Sequence, residues 1–215
     1  YKSGLVIMQD NVVAIIQARM TSRRLPGKVL LPLFGAPLLH RMLERVSRIN
    51  GLDAIWLAIP EEKDHDPIVD ILPKGVKLFR GSETDVLDRT FKAAKQANAT
   101  VVMRITSDCP LIDPTVSGDV LAAFKSSPAV YARTALASGY PHGFDTEVFT
   151  MDALASAHAE ATAYDEREHV TPFIWRQPNR FPTLEVDHYP DFRHWRITVD
   201  TPEDYQLTKQ IYDIL

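Results

Sequence analysis

Four basic side chains follow the first apolar run of the chain, and their clustering would suit the binding of a polyphosphate. They lie in the loop 18–28, which also contains a Pro-Gly pair, and they are Arg19, Arg23, Arg24 and Lys28. The run before the loop, Val12–Gln17, is apolar and β-branched, which is typical of a strand buried on both faces. Phosphate-bearing ligands usually bind at such strand-to-loop turns in open α/β folds. The spacing matches neither the Walker loop nor the dinucleotide fingerprint, so a solvated basic surface is the alternative interpretation.

Two carboxylates are predicted to lie at the same edge of the sheet as this loop. Asp108 follows the predicted strand 101–105, and Asp200 follows the predicted strand 196–199. Carboxylate oxygens close to bound phosphates are the ligands that Mg²⁺ prefers. We therefore predict a Mg²⁺ site formed by Asp108 and Asp200. The alternative is that each of them caps a helix or forms a turn.

Strand patterns alternate with helix patterns along the chain. The predicted strands are 12–17, 54–59, 77–79, 101–105, 129–132, 146–149, 183–186 and 196–199. The predicted helices are 37–49, 67–72, a helix that runs to about 98 from a cap at Ser82 or Thr84, a helix that begins at 114, 151–163, 165–176, and a last helix capped by Thr201, Pro202 and Asp204. This alternation predicts a three-layer, Rossmann-like α/β domain with a mainly parallel, mixed sheet.

The composition excludes several classes of protein. Hydrophobic residues at 45% and a net charge of -4 are ordinary for a globular protein and argue against general affinity for nucleic acid. Cys109 is the one cysteine, so no disulfide can form within the chain and a cytoplasmic location is expected. The apolar runs are far shorter than the about 20 residues of a membrane span, so we expect no membrane contact.

The domain organisation is predicted to be simple. Residues 1–8 do not begin with Met, so we expect them to be an added or disordered N-terminal segment outside the fold. Residues 9–215 then form a single domain. Within it, the segment 134–190 is rich in loop-forming residues and is predicted to be a flap.

Several motifs occur together in an order that is typical of one enzyme family. They are ARMTSRRLPGK at 18–28, GSETDVLDR at 81–89, TSDCPLI at 106–112, YPHGFDTEVF at 140–149, REHVTPFIW at 167–175 and VDTPED at 199–204. With these motifs the chain resembles the CTP:sugar-acid cytidylyltransferases, which include the 3-deoxy-manno-octulosonate and acylneuraminate cytidylyltransferases. It most resembles the branch labelled spore-coat polysaccharide biosynthesis.

The resemblance implies a fold, a reaction and a set of residues. The fold would be that of the nucleotide-diphospho-sugar transferases, and the reaction would be Mg²⁺-dependent transfer of CMP from CTP to a sugar or sugar acid, with release of pyrophosphate, by a homodimer. The catalytic residues would be Arg19, Lys28, Asp108 and Asp200, of which Asp108 and Asp200 hold the metal. The nucleotide-binding residues would be Ala18, Arg19, Ser22, Arg24, Lys28, Arg80, Gly81, Ser82 and Asp108.

The acceptor site is predicted to lie in the flap, with Asp145, Glu147, Arg167, Glu168 and His169 as its candidates. Asp145 and Glu147 alternate along an extended segment, so both face one side and either could accept sugar hydroxyls. Arg167 could pair with a sugar carboxylate. A salt-bridge cluster between helices, or a dimer contact, would explain these residues equally well.

Two rival functions are compatible with the same frame, because a fold does not determine a function. One is a glycosyltransferase that uses a nucleotide sugar; the segment TSDCP lacks the second Asp of the Asp-X-Asp motif that is common in such enzymes. The other is a nucleotide- or sugar-binding module without catalysis. Nucleotidyl transfer for surface polysaccharide synthesis is therefore the leading prediction.

Overall fold

The first apolar run forms the strand β1 (Val12–Gln17), and all six of its residues are buried. We describe the chain from a computed structural model, which describes residues 10–134 and 136–214; the segment 1–8, predicted to lie outside the fold, is outside the described residues. The other strands are β2 (Pro32–Leu33), β3 (Ala36–Pro37), β4 (Ala54–Pro60), β5 (Lys77–Gly81), β6 (Val101–Thr106), β7 (Tyr131–Arg133), β8 (Glu147–Thr150) and β9 (Thr183–Glu185).

Seven of these strands form one mixed sheet in the order β5-β4-β1-β6-β8-β7-β9, and β2 and β3 form a separate hairpin. The pairs β1 with β4, β1 with β6, β4 with β5, and β7 with β9 are parallel. Strand β8 runs antiparallel to both of its neighbours, β6 and β7. The prediction of a mainly parallel, mixed sheet is confirmed.

Helices cover both faces of the sheet. Their bounds are α1 (Leu38–Val46), α2 (Asp66–Val69), α3 (Val86–Gln96), α4 (Pro114–Lys125), α5 (Met151–Glu160), α6 (Tyr164–His169), α7 (Pro172–Trp175) and α8 (Pro202–Ile214). In the described part of the chain, no helix combines the length and the apolar character that crossing a bilayer requires.

Alternate residues of β1 contact different apolar cores, which creates the three layers. Val12, Ala14 and Ile16 belong to a cluster that includes the apolar faces of α1 and α4. Val13 and Ile15 belong to a second cluster with α3 and α5. Because successive side chains of a strand point to opposite faces, a fully apolar strand must be covered on both sides. The loop that follows β1 is thereby held at the edge of the sheet.

Three local predictions were wrong. The N-cap of α3 is Asp85, whose carboxylate accepts the N–H of Asp88 at 2.9 Å, and not Ser82 or Thr84. The predicted helix 165–176 is split into α6 and α7 by Val170, which has a φ of +73°. Such a φ does not belong to a right-handed helix and disfavours a β-branched residue, so the surrounding packing must impose the break.

The predicted strand 196–199 is also wrong, since the structure has only an isolated bridge between His142 and Arg196 there. The segment is held by single backbone hydrogen bonds to residues in different parts of the chain. The N–H of Ile197 donates to the carbonyl of His142 at 2.8 Å, and the N–H of Val199 donates to the carbonyl of Asp108 at 2.7 Å. The second of these hydrogen bonds holds the segment beside Asp108, just beyond the end of β6. Asp200 therefore lies at the predicted edge of the sheet although the strand before it does not form.

Candidate active site

A cavity of about 370 Å³ opens at the carboxyl ends of β1 and β6, and we call it the first cavity. It is lined by residues that follow β1 (Ala18, Arg19, Ser22, Arg23, Arg24 and Lys28), by residues of and after β6 (Arg104, Thr106, Ser107 and Asp108), and by Gln17, Val86, Arg89, Glu168, His169 and Asp200. The structure therefore brings the basic loop and both predicted metal ligands to one place. Phosphate ligands usually bind at this edge of such sheets.

The basic loop is shaped by backbone bonds and by a glycine. Gly27 has a φ of +68°, which glycine adopts without the steric cost of a Cβ, and its N–H donates to the carbonyl of Met20 at 2.8 Å. The N–H of Met20 in turn donates to His65 Nδ1 at 3.0 Å. These contacts fold the loop back on itself and direct Lys28 into the interior, where its side chain is 9% exposed.

Lys28 joins three distant parts of the chain. Its Nζ lies 3.1 Å from Asp108 Oδ2 and 3.1 Å from Asp200 Oδ1, and it donates to the carbonyl of Val199 at 2.7 Å. An ammonium group has three N–H donors, so protein oxygens take all of them. The two predicted metal ligands thus converge on one buried cation.

Asp200 is surrounded by cations. Arg24 NH2 lies 3.0 Å and Arg196 NH2 lies 2.6 Å from its Oδ2. Burial by itself raises the pKa of Asp200, but the charge and hydrogen bond of Lys28, with Arg196 and Arg24, outweigh burial and hold that pKa below its usual value. Asp200 is therefore an ionised carboxylate at neutral pH. With Asp108 it offers the hard oxygen donors that suit Mg²⁺, so the residues fit the predicted metal.

Helix α8 fixes the position of Asp200. The N–H groups of Asp200 and Thr201 donate to Asp204 Oδ2 at 2.9 and 3.0 Å, and the N–H of Asp204 donates back to Thr201 Oγ1 at 3.2 Å. This reciprocal pattern is a capping box. Val199 is fully buried with Leu33 and Leu38. The position of Asp200 is therefore fixed by the buried Val199 before it and by the N-terminus of α8 after it.

Arg89 is a residue of the first cavity that the sequence analysis did not identify. It is 2% exposed, and its NH1 donates to the carbonyl of Ser82. Burial, with a further contribution from the charge of Arg19, lowers the pKa of Arg89 to about 10, so it is still a cation at neutral pH. Its Nε is buried without a hydrogen-bond partner. A charged residue on the apolar face of α3 was the signal that could have revealed it.

A second cavity, of about 680 Å³, adjoins the first. The two share Arg104, Thr106, Asp108 and His169 as lining residues. The remaining lining residues of the second cavity follow β6, end β7, belong to the flap or precede α8: Cys109, Arg133, Thr134, Ala137, His142, Asp145, Glu147, Asp165, Thr171, Pro172, Trp175, Arg176, Glu185 and Thr198. Two ligands, one bound in each cavity, would therefore come close to each other beside Asp108.

Asp145 and Glu147 both line the second cavity but differ in their surroundings. Glu147 accepts hydrogen bonds from Tyr131, Thr171 and Arg104. Burial raises the pKa of Glu147, but the charge of Arg104 and these hydrogen bonds outweigh burial and bring it below its usual value. Asp145 accepts the N–H of Gly143 at 2.8 Å, and burial raises its pKa.

A family model described as cytidylyltransferase matches residues 13–214, which is nearly the whole chain. The chain belongs to the cytidylyltransferase family. The enzyme is therefore a nucleotidyltransferase, which confirms the leading prediction for its class of activity and the resemblance found in the sequence.

Three similar proteins illustrate this membership. Over 211 residues the chain is 34% identical to the spore coat polysaccharide biosynthesis protein SpsF of Bacillus subtilis, covering 94% of this chain and 87% of that protein. It is 30% identical over 199 residues to the 8-amino-3,8-dideoxy-manno-octulosonate cytidylyltransferase of Shewanella sp. (strain W3-18-1), covering 91% and 77%. A cytidylyltransferase structure from Leptospira borgpetersenii has a TM-score of 0.92 at 32% identity, covering 96% of this chain and 88% of that one.

Some of the residues predicted to bind the nucleotide or the acceptor lie outside both cavities of this cytidylyltransferase. Among the described residues, Arg80, Gly81 and Ser82 are not part of the lining of either cavity. Arg80 forms an ion pair with Asp66, and Ser82 Oγ accepts the N–H of Asp85 at 3.0 Å. Arg80 thus links β5 to α2, and Ser82 supports the turn before α3.

Arg167 also lies outside the lining of both cavities as the described residues define them. Its guanidinium group holds the carboxylate of Asp85 with contacts of 2.5 to 3.1 Å, and its NH1 donates to the carbonyl of His158 at 2.9 Å. These contacts tie α6 to the N-terminus of α3. The geometry corresponds to the salt-bridge alternative considered for this residue. Its neighbours Glu168 and His169 do line the first cavity.

Glu62, His65 and Glu83 form a cluster whose ligand atoms all lie within 4.8 Å of one another, as a metal site would require. His65 Nδ1, however, accepts the N–H of Met20. The neutral imidazole then carries its proton on Nε2, the atom that faces the carboxylates. A ligating histidine has the opposite arrangement, with its second nitrogen as a donor, so Asp108 and Asp200 are the better pair for a metal.

Proposed function

We propose that the enzyme transfers CMP from CTP to a hydroxyl group of a sugar or sugar acid and releases pyrophosphate, with Mg²⁺, in surface polysaccharide synthesis. The observation that carries the proposal is that the first cavity, which several Arg and Lys side chains line, adjoins the second cavity at Asp108. The activity named for the Shewanella relative and the pathway named for the Bacillus relative support the acceptor class and the pathway.

In this proposal the first cavity binds the triphosphate of CTP. Arg19 and Arg24 lie on its rim, with side chains that are 40% and 62% exposed, so their guanidinium groups can close on phosphate oxygens. Arg89 adds a fixed buried cation. Transfer of this kind depends on positioning and on neutralising the charge that develops on the phosphates, and these cations supply both.

The acceptor binds in the second cavity. Its hydroxyl oxygen attacks the α-phosphorus and loses its proton to solvent, a new P–O bond forms, and the bond to the β-phosphate oxygen breaks to give pyrophosphate. A divalent cation held by Asp108 and Asp200 would polarise the phosphate. Asp145 and His169 face the cavity and contact the acceptor, while Glu147 is occupied by its protein partners. Because Arg167 is bound to Asp85, we leave it out of the acceptor site.

We further propose that the enzyme is a cytoplasmic homodimer and that residues 9–215 form one domain with 134–190 as an acceptor-side flap. The flap assignment is supported by the origin of much of the second cavity, because Thr134, Asp145, Trp175 and Glu185 all belong to this segment. The dimer rests on the family resemblance.

The nucleotide and acceptor are tested by measuring pyrophosphate release. Each of CTP, UTP, ATP and GTP is incubated with Mg²⁺ and the enzyme, with and without a panel of sugars and sugar acids. We expect release from CTP alone, and only in the presence of an acceptor. Equal release from all four nucleotides would contradict the proposal. Tight CTP binding without turnover on any acceptor would favour the binding module instead.

Arg167→Gln tests whether this residue holds the acceptor or the helices. We expect the free energy of unfolding to fall by about 1 kcal/mol, because the pair with Asp85 is partly exposed, and the KM for the acceptor to stay unchanged. Chemical denaturation and steady-state kinetics provide the two values. A large increase in acceptor KM with unchanged stability would return Arg167 to the acceptor site.

A further inference from the structure

The ammonium group of Lys28 is fully occupied by acceptors from the protein. Its ammonium group donates to Asp108 Oδ2, Asp200 Oδ1 and the carbonyl of Val199, which accounts for all three N–H bonds. A lysine poised to bind a triphosphate would keep donors free toward the cavity. The geometry instead places this cation between the two carboxylates that suit a metal.

A divalent cation that bound both carboxylates would have to occupy the position of the ammonium group. Both carboxylates lie 3.1 Å from the same nitrogen atom, and the side chain of Lys28 is almost completely buried. A metal ion that bound both carboxylates would bring its charge against the ammonium group, and two cations in contact repel strongly where little water screens them. The two cations therefore exclude each other from this position.

We propose that Lys28 is an internal stand-in cation, which holds Asp108 and Asp200 together until a divalent cation arrives with the nucleotide and replaces it. The released ammonium group then turns to the triphosphate. This inference rests on the proposed function, because it takes Asp108 and Asp200 as the metal ligands. It changes the role of Lys28 from a fixed phosphate ligand to a positioning residue that exchanges partners.

The exchange predicts that metal and nucleotide bind cooperatively. A metal ion alone must displace the ammonium group and leave it buried without the two carboxylates that it pairs with, which is costly. When CTP is present, its phosphate oxygens accept the released N–H bonds, so the cost falls. The nucleotide should therefore raise the affinity for the metal, and this coupling should depend on Lys28.

The test is a titration with Mn²⁺, followed by electron paramagnetic resonance and corrected for Mn²⁺ bound to free CTP. It compares the wild-type chain, Lys28→Met and Lys92→Met, with and without CTP and without any acceptor. Lys92 makes a matched control, because it is 56% exposed and pairs with Asp88 on α3. Without CTP, we expect Lys28→Met to bind Mn²⁺ on the order of tenfold more tightly than the wild type, and CTP to add less affinity in this variant. Lys92→Met should behave as the wild type.

Lys28→Gln, which keeps a polar side chain, serves as the second variant if Lys28→Met does not fold. The inference is overturned if neither variant binds Mn²⁺ more tightly than the wild type in the absence of CTP. Asp108→Asn and Asp200→Asn separate this failure from a failure of the proposed function. If both Asn variants lose Mn²⁺ binding while the Lys28 variants show no gain, only the exchange is wrong. If the Asn variants bind Mn²⁺ normally, the metal site is wrong and the exchange falls with it.

Discussion

Replacing Asp200 or Asp108 by Asn should lower kcat by about two orders of magnitude or more, because each change removes a charged ligand of the divalent cation that would neutralise the negative charge developing on the phosphates. The fold should survive both changes. The backbone carbonyl of Asp108 still accepts the N–H of Val199, and the capping box of α8 uses Asp204 and Thr201. Pyrophosphate release under saturating CTP gives kcat, and circular dichroism reports the fold.

Asp191→Asn is the matched control for these two variants. Asp191 is exposed, pairs with Arg193 at 2.7 Å, and is not part of the lining of either cavity in the described chain. Its kcat should equal that of the wild type. A kcat of wild-type size in Asp108→Asn or Asp200→Asn would exclude that carboxylate from the reaction.

The sheet and the position of Asp108 at its edge were predictable from local sequence. The five apolar residues 12–16 of β1 do not alternate with polar ones and so require cover on both faces, and together with the alternation of strand and helix patterns this predicts a parallel sheet between helices. Residues that follow parallel strands must then meet at one edge, which is why Asp108 lies beside the loop 18–28.

Other features depend on contacts between distant segments and leave no local signal. The segment 196–199 has strand propensity, but its partners are the carbonyl groups of His142 and Asp108 rather than a neighbouring strand. Asp85 became the cap of α3 although Ser82 and Thr84 have suitable side chains, and its carboxylate is also the partner of Arg167. Charge pairs that link segments far apart in sequence are set by the packed fold, so residue type alone did not predict them.

Glu147 also pairs with a residue far from it in sequence, and we expect its replacement to lower the free energy of unfolding substantially. Its carboxylate is 15% exposed and is bound by Arg104, which is 14% exposed, and by the hydroxyl groups of Tyr131 and Thr171. Glu147→Gln should lower the free energy of unfolding at neutral pH by about 3 kcal/mol, because it leaves the charge of Arg104 buried without its partner. Chemical denaturation of the two proteins gives the difference.

The difference should also depend on pH. Burial raises the pKa of Glu147, but Arg104 and the hydroxyl donors outweigh it, so the folded-state pKa lies below the usual value. A depressed pKa means that the carboxylate stabilises the fold above its unfolded-state pKa and loses this contribution as the pH falls through the folded-state pKa. The gap between wild type and Glu147→Gln should therefore narrow in acid.

Glu185→Gln provides the comparison that decides what Glu147 does. Glu185 pairs with Arg133 at 2.6 Å and also lines the second cavity, but it is 42% exposed. Its replacement should cost less than about 1 kcal/mol, because exposed pairs contribute little. If Glu147→Gln is no less stable than Glu185→Gln but has a much higher KM for the acceptor, then Glu147 binds the acceptor directly. The hydrogen bonds from Tyr131 and Thr171 would then have to open during catalysis, because they occupy the oxygen that the acceptor needs.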